Sequence, residues 1–203
     1  MNWGEVDPRH KLAGLALIIL LGGWALWPAS PVSTPPGVLA PDDPAQAACD
    51  PQTWEVHGYK VSALASFSMK ARVLSTERYR FDRESDLVPE DVAFGWGQMS
   101  DKRILDQLDI GQSGRWYHWS CKEFPISRGN IGTHSANMHL IPADSEVRHA
   151  VLSLRPGQVV SLEGFLVRAD SADGWHWISS LTRDDTGAGA CELVYVQRLF
   201  VEP

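Results

Sequence analysis

Cysteine is scarce in this chain, three residues in 203, and positive charge is in deficit: 18 Lys and Arg stand against 25 Asp and Glu, a formal net charge of −7. The first scarcity excludes a disulfide-dense miniprotein. The second argues against a phosphate-tracking nucleic-acid binder, which normally presents a basic face. Long apolar runs are missing too, with one exception, so a polytopic membrane protein is excluded. A composition of 44% hydrophobic and 21% charged residues also excludes a disordered chain. The length allows one domain of ordinary size and something extra.

The exception runs from Leu12 to Trp27, LAGLALIILLGGWALW, sixteen residues without a charge. Extended to Ala29 it reaches the length of a membrane-spanning helix. Trp24 and Trp27 lie where indoles favour the membrane interface, and Arg9 and Lys11 precede the run while the next basic residue after it is Lys60. The pattern predicts a cytoplasmic tail over residues 1–11, an inner-membrane anchor over 12–29, and an exported, periplasmic remainder. No small-residue cleavage site follows the run, which sets aside a cleaved signal peptide. Seven of the thirteen prolines fall between Pro28 and Pro51, which predicts an extended, solvated spacer over 30–53 and a β-rich domain over 54–203.

Within that domain Phe67, Met69, Ala71 and Val73 alternate with polar residues, the period of a half-buried strand. Ser100 is read as the cap of a helix reaching Ile110. Arg115 to Cys121 alternates with aromatics on both faces, as a central strand does. A short strand over Ala136–Ile141 ends at Pro142, and Asp144 caps a helix carrying Val147, Ala150, Val151 and Leu154. Strands follow over Gln158–Arg168, Trp175–Ser180 and Cys191–Val201, with Gly164 marking a bulge or bend. One helix before a final three-strand meander predicts an α+β, β-rich fold: a single transmembrane helix followed by a small OB-like, partly open β-barrel.

Candidate chemistry concentrates in a few segments. In HSANMH, alternation places Ser135, Asn137 and His139 on one strand face. His134 and His139 are weak metal candidates, because a zinc site needs three or four ligands and these two fall on opposite faces. Asp185-Thr186-Gly187 matches the aspartic-protease triplet but lacks the apolar strand before it and a second aspartate. The glycines of TGAGA precede a strand, whereas phosphate cradles precede a helix. Arg183 is suited to clamp an anion or to pair with Asp185, Glu192 or Asp101. Trp96, Trp116, Trp119, Trp175 and Trp177 serve as core or as a stacking platform. A Cys49–Cys191 disulfide would close the domain, with Cys121–Cys191 as the alternative; Cys121 with His118 or His139 is the reactive alternative.

The blocks FGWGQMSD (Phe94–Asp101), SANMHLIPA (Ser135–Ala143) and SSLTRDDTGAGACELVYV (Ser179–Val196) resemble a bacterial family of small, N-terminally anchored envelope proteins. The resemblance implies an anchored architecture and brings no activity, cofactor or catalytic residue. The sequence thus predicts a non-catalytic, inner-membrane-anchored protein without cofactor, whose exported domain binds an envelope protein or cell-wall component. Its candidate surface is Trp96, Asp101, Ser135, Asn137, His139, Arg183, Asp185 and Glu192. Two alternatives stand beside it: a periplasmic hydrolase using His134 or His139 with Asp185 or Arg183, and a single-strand nucleic-acid binder on which Arg72, Arg115, Arg168 and Arg183 converge.

Overall fold

The computed structural model describes residues 30–182 and 191–203. Its strands are β1 (Ala45–Ala47), β2 (Thr53–Val56), β3 (Tyr59–Arg78), β4 (Glu90–Gly95), β5 (Asp109–Ser113), β6 (Trp116–Ser120), β7 (Ser135–Pro142), β8 (Val159–Ser171), β9 (His176–Ile178) and β10 (Glu192–Val201). The helices are α1 (Lys102–Leu105), α2 (Arg128–Thr133) and α3 (Ser145–Leu152), with a 3-10 turn over Gly97–Ser100.

β3 organises the fold. Phe67, Met69, Ala71 and Val73 are buried as their alternation demands, but the strand runs for 20 residues and pairs with β1, β2, β4 and β8. Irregularities between Ala63 and Ala65, and between Val73 and Ser75, let one strand bend and serve all four. The hydrogen-bonded order is β1-β3-β4-β7-β10-β8-β9, with β2 and β8 also pairing with β3. β7 and β10 are parallel and the other pairs antiparallel. The connection from β7 to β8 carries α3, whose first turn is closed by Val147 N–H donating to the Asp144 side chain at 2.8 Å. Val147 and Val151 bury its inner face. A Cβ on Gly164 would lie 2.0 Å from the Tyr195 carbonyl oxygen, so β8 and β10 approach there because no side chain intervenes. The bulge itself sits opposite, between Val196 and Arg198.

Two apolar clusters cover the sheet. One gathers Phe67, Phe94, Trp96, Met138, Leu162 and Val194 under α3. The other gathers Val61, Leu87, Ile141, Val167, Leu193 and Tyr195, with Trp54 stacked on Tyr195 at 4.2 Å between ring centroids. β7 therefore lies between two packed layers and is buried almost throughout.

Several expectations are corrected. Among the described residues no helix is long and apolar enough to cross a membrane; residues 12–29, on which the anchor rested, lie outside them, so the inner-membrane anchor and the periplasmic location are not carried forward. The small OB-like barrel behind a transmembrane helix gives way to a β-rich α+β domain on an eight-stranded sheet, because β1, β2 and β4 add strands that the sequence pattern did not mark. No disulfide joins Cys49, Cys121 and Cys191, so neither expected pairing forms. Asp101, not Ser100, caps a helix of only four residues, and β5 begins where the longer helix was expected. β6 is not central: among the described residues it pairs only with β5, in a separate two-stranded sheet.

The proline-rich stretch is not a solvated spacer either. From Pro31 it belongs to the same compact unit as the sheet. Val32 N–H donates to the Pro156 carbonyl at 2.8 Å, Gly37 N–H to Asp101 Oδ1 at 2.9 Å, and the Leu39 and Ala40 amides to Ser100 Oγ at 3.1 Å. Prolines remove donors from this arm, and the amides of Val32, Gly37, Leu39 and Ala40 find acceptors in the domain.

Candidate functional site

The expected row on β7 exists, and it is buried. Ser135, Asn137 and His139 occupy alternate positions of the strand and are all inaccessible. Ser135 and Asn137 lie under the β5–β6 hairpin. The Tyr117 hydroxyl donates to Ser135 Oγ at 3.3 Å, Gln112 Nε2 donates to Asn137 Oδ1 at 2.6 Å, and Asn137 Nδ2 donates to the Arg115 carbonyl at 3.2 Å. Burial pushes the Tyr117 hydroxyl up to about 12. These contacts dock the hairpin on the sheet.

At His139 the row changes character. Register places Glu77 of β3 opposite Asp91 of β4, and Asp91 opposite His139. Two carboxylates and an imidazole thus form one line across three strands. Burial, then the charge of Asp91, raise the Glu77 carboxyl above its ordinary range. Asp91 is fully buried. Its Oδ1 lies 2.8 Å from His139 Nδ1, but off the direction a hydrogen bond requires, which leaves Nδ1 without a hydrogen-bond partner; Asp91 Oδ2 has none either. The Trp177 ring, half-exposed on β9, lies 4.4 Å from the imidazole.

Arg115 completes this site from the hairpin tip. Its Nη1 donates to Asp91 Oδ1 at 3.0 Å. Nε and Nη2 donate to Asp82 Oδ2 and Oδ1 at 3.0 and 3.1 Å, and Nη2 also reaches the Val88 carbonyl at 3.2 Å. The guanidinium carbon sits 4.0 Å from the Tyr79 ring centroid and 5.6 Å from that of Trp177. Arg115 N–H donates to the Tyr79 hydroxyl at 2.6 Å; burial, then Asp91, push that hydroxyl up to about 12. Gly114 and Arg115 both have positive φ, 57° and 67°. This suits the tight two-residue loop of the hairpin but is costly for arginine. Sequence reading passed over Asp82, Asp91 and Tyr79, and named Arg115 only as one cation of a nucleic-acid surface. The signal available was Ser-Gly-Arg-Trp between two alternating runs, a hairpin loop with a charge where glycine or asparagine is usual.

The other expected site residues lie elsewhere. Trp96 is core. Asp101 caps α1 and holds the arm, and the Arg103 guanidinium, helped by backbone amides, keeps its carboxyl far below the ordinary range. Glu192 is buried at the first position of β10, opposite Met138. His134 sits against Gly97 with Nδ1 2.9 Å from the Asn130 carbonyl oxygen, and no group of side chains among the described residues could hold a metal ion. Arg183, Asp185 and the Asp-Thr-Gly triplet lie outside the described residues, as does half of the expected hydrolase constellation.

The envelope-binding reading falls with the anchor. Of the four cations of the nucleic-acid reading, the three described are already engaged, Arg72 with the Ser100 carbonyl, Arg115 with Asp82 and Asp91, and Arg168 with Asp170, which argues against it; Arg183 lies outside the described residues. Comparison with protein-family models, with curated proteins and with solved structures gives no match.

Proposed function

We propose that the domain binds a guanidinium-bearing ligand, as a small molecule or as an arginine side chain, in the cage that Arg115 fills in the resting protein. The observation that carries this reading is the division of labour in the cage. Asp82, Asp91, the Val88 carbonyl, Tyr79 and Trp177 come from the main sheet and its connections, and together they suit a planar cation on its edges and faces. The occupant comes from another sheet, at the cost of a left-handed arginine, about 1–2 kcal/mol. A two-stranded hairpin is marginal by itself, and beyond its tip this one is tied to the row by Tyr117 and Gln112. A competing guanidinium therefore displaces the tip without unfolding the sheet.

The test is calorimetric titration of the whole chain with L-arginine, agmatine and an Ala-Arg-Ala peptide, with lysine as control, together with amide exchange over residues 109–120. Wild-type protein is expected to bind guanidinium probes weakly with faster hairpin exchange, and Arg115→Ala to bind them more tightly because its cage is vacant. Preference for the peptide over agmatine would identify a peptide ligand, and the reverse a small molecule. If Arg115→Ala does not fold, Arg115→Gly, which suits the left-handed backbone and also empties the cage, replaces it. Binding to the variant alone, with no effect on wild-type exchange at any concentration, would make Arg115 an internal lock and overturn the proposal. So would equal binding of lysine.

A further inference from the structure

A second site, independent of the cage, lies where the arm meets the domain. A cleft of about 360 Å3 opens between the arm at Pro31–Val32, β3, and the segment from Lys102 to Ile110. Arg72 lines it, and the residue is only 4% exposed. Its Nη1 donates to the Ser100 carbonyl at 3.0 Å and its Nη2 to Thr34 Oγ1, but Nε has no hydrogen-bond partner. A buried guanidinium N–H with nothing to donate to is costly, and it suits an acceptor supplied from outside.

The rest of the lining restricts what that acceptor belongs to. Lys102 and Asp106 neutralise each other at 2.5 Å. Asp109 makes no ion pair among the described residues and remains as the negative group of the cleft. Val32, Leu105 and Leu108 provide apolar wall. One unspent N–H of a cation, one carboxylate and an apolar wall, in a space at the small end of the usual range for ligand pockets, suit a small zwitterion with an apolar body. Burial lowers the Arg72 value, with Asp106 and Asp101 opposing, which agrees with a cation held in a dry setting.

We propose that this cleft binds a zwitterionic α-amino acid with an apolar side chain, its carboxylate accepting from Arg72 Nε, its ammonium facing Asp109, and its side chain against Val32, Leu105 and Leu108. The arm is a wall of the site, and Gly157 makes the wall possible: a Cβ there would lie 2.1 Å from the Val32 carbonyl oxygen.

The experiment is titration of the whole chain with L-leucine and L-phenylalanine, followed by the Arg72 Nε–H resonance. N-acetyl-leucine, which lacks the ammonium, and leucinamide, which lacks the carboxylate, serve as controls. Leucine is expected to saturate and to shift that resonance, and each control to bind at least about tenfold more weakly, the scale of one lost charged contact. Because Arg72 also holds the arm, the variants are Asp109→Asn, expected to weaken leucine but not N-acetyl-leucine, and Leu105→Trp, expected to fill the cleft and abolish binding. No saturable binding of either amino acid up to about 10 mM, or binding that survives Leu105→Trp in a folded protein, overturns the proposal. Equal affinity for leucine and N-acetyl-leucine overturns the role of Asp109.

Discussion

Arg115 meets Tyr79 twice: its backbone N–H donates to the phenol oxygen at 2.6 Å, and its guanidinium lies 4.0 Å from the centre of the same ring. The two contacts separate by substitution. Tyr79→Phe removes the first and keeps the second, and is expected to cost about 1 kcal/mol. Tyr79→Ala removes both and adds a packing loss of a few kcal/mol. In urea unfolding, a double-mutant cycle of Tyr79→Ala with Arg115→Ala should show coupling of about 0.5–2 kcal/mol. Additive single effects would mean that the stacked geometry contributes nothing.

The two partners of the buried pair on β4 and β7 should respond unequally. Asp91→Asn withdraws the charge facing both Arg115 and His139 and is expected to destabilise by about 3–5 kcal/mol. His139→Leu removes a ring whose Nδ1 has no hydrogen-bond partner and leaves the Arg115–Asp91 contact standing, so its cost should be well below that of Asp91→Asn. The reverse order in equilibrium unfolding would show that the imidazole, not the guanidinium, stabilises Asp91.

Glu77 gives a pH signature of known sign. Its carboxyl is raised above 4.5 in the folded protein, by burial first and by Asp91 second. The protonated form is the one folding favours, so this contribution is complete below 4.5 and is lost as pH climbs through the raised folded value. Asp101, Asp170 and Glu202 are shifted the other way by their partners, and their contribution disappears as pH falls. Glu77→Gln should therefore gain stability relative to wild type on the alkaline side of the carboxylate range and little on the acid side. A constant difference in urea midpoint across that range would remove Glu77 from this role.

Gly157 should be irreplaceable for the arm and nearly indifferent for the sheet. With φ of 96° and Val32 packed on its α-carbon, alanine is strained by about 1–2 kcal/mol and pushes the arm away. Gly157→Ala is expected to accelerate amide exchange at Val32, Gly37 and Ala40 while the β3–β8 ladder stays protected. Loss of protection in both regions together would show that the arm and sheet unfold as one unit.

What was legible in the sequence was local. The alternation around Phe67–Val73 declares a strand, and Asp144 followed by Val147 and Val151 declares a capped helix, because both patterns are set by neighbours in the chain. The β7 row was also legible, since period two alone puts Ser135, Asn137 and His139 on one face. Pairing was not. Trp116–Ser120 alternates as a central strand does, and nothing within it states that Asp109–Ser113 is its one partner. Likewise, the prolines of the arm announce missing donors but not the acceptors at Ser100, Asp101 and Pro156, some sixty to more than a hundred residues away. Arg115 is the clearest loss: it was placed at the start of a strand, whereas a left-handed backbone and a cage drawn from three distant segments define what it does.

The reach of β3 has a kinetic consequence. Tyr59 pairs with Ser171 and Arg72 with Val159, so the strand that organises the sheet is synthesised early and gains its longest partner only once most of the chain exists. Loop closure on that scale must be met before the contacts return anything. A nascent chain would carry β3 with an unpaired edge while residues 79–158 are synthesised, a state open to aggregation and to chaperones. Folding should accordingly be slow and nearly all-or-none, with hardly any of the sheet protected before β8 arrives.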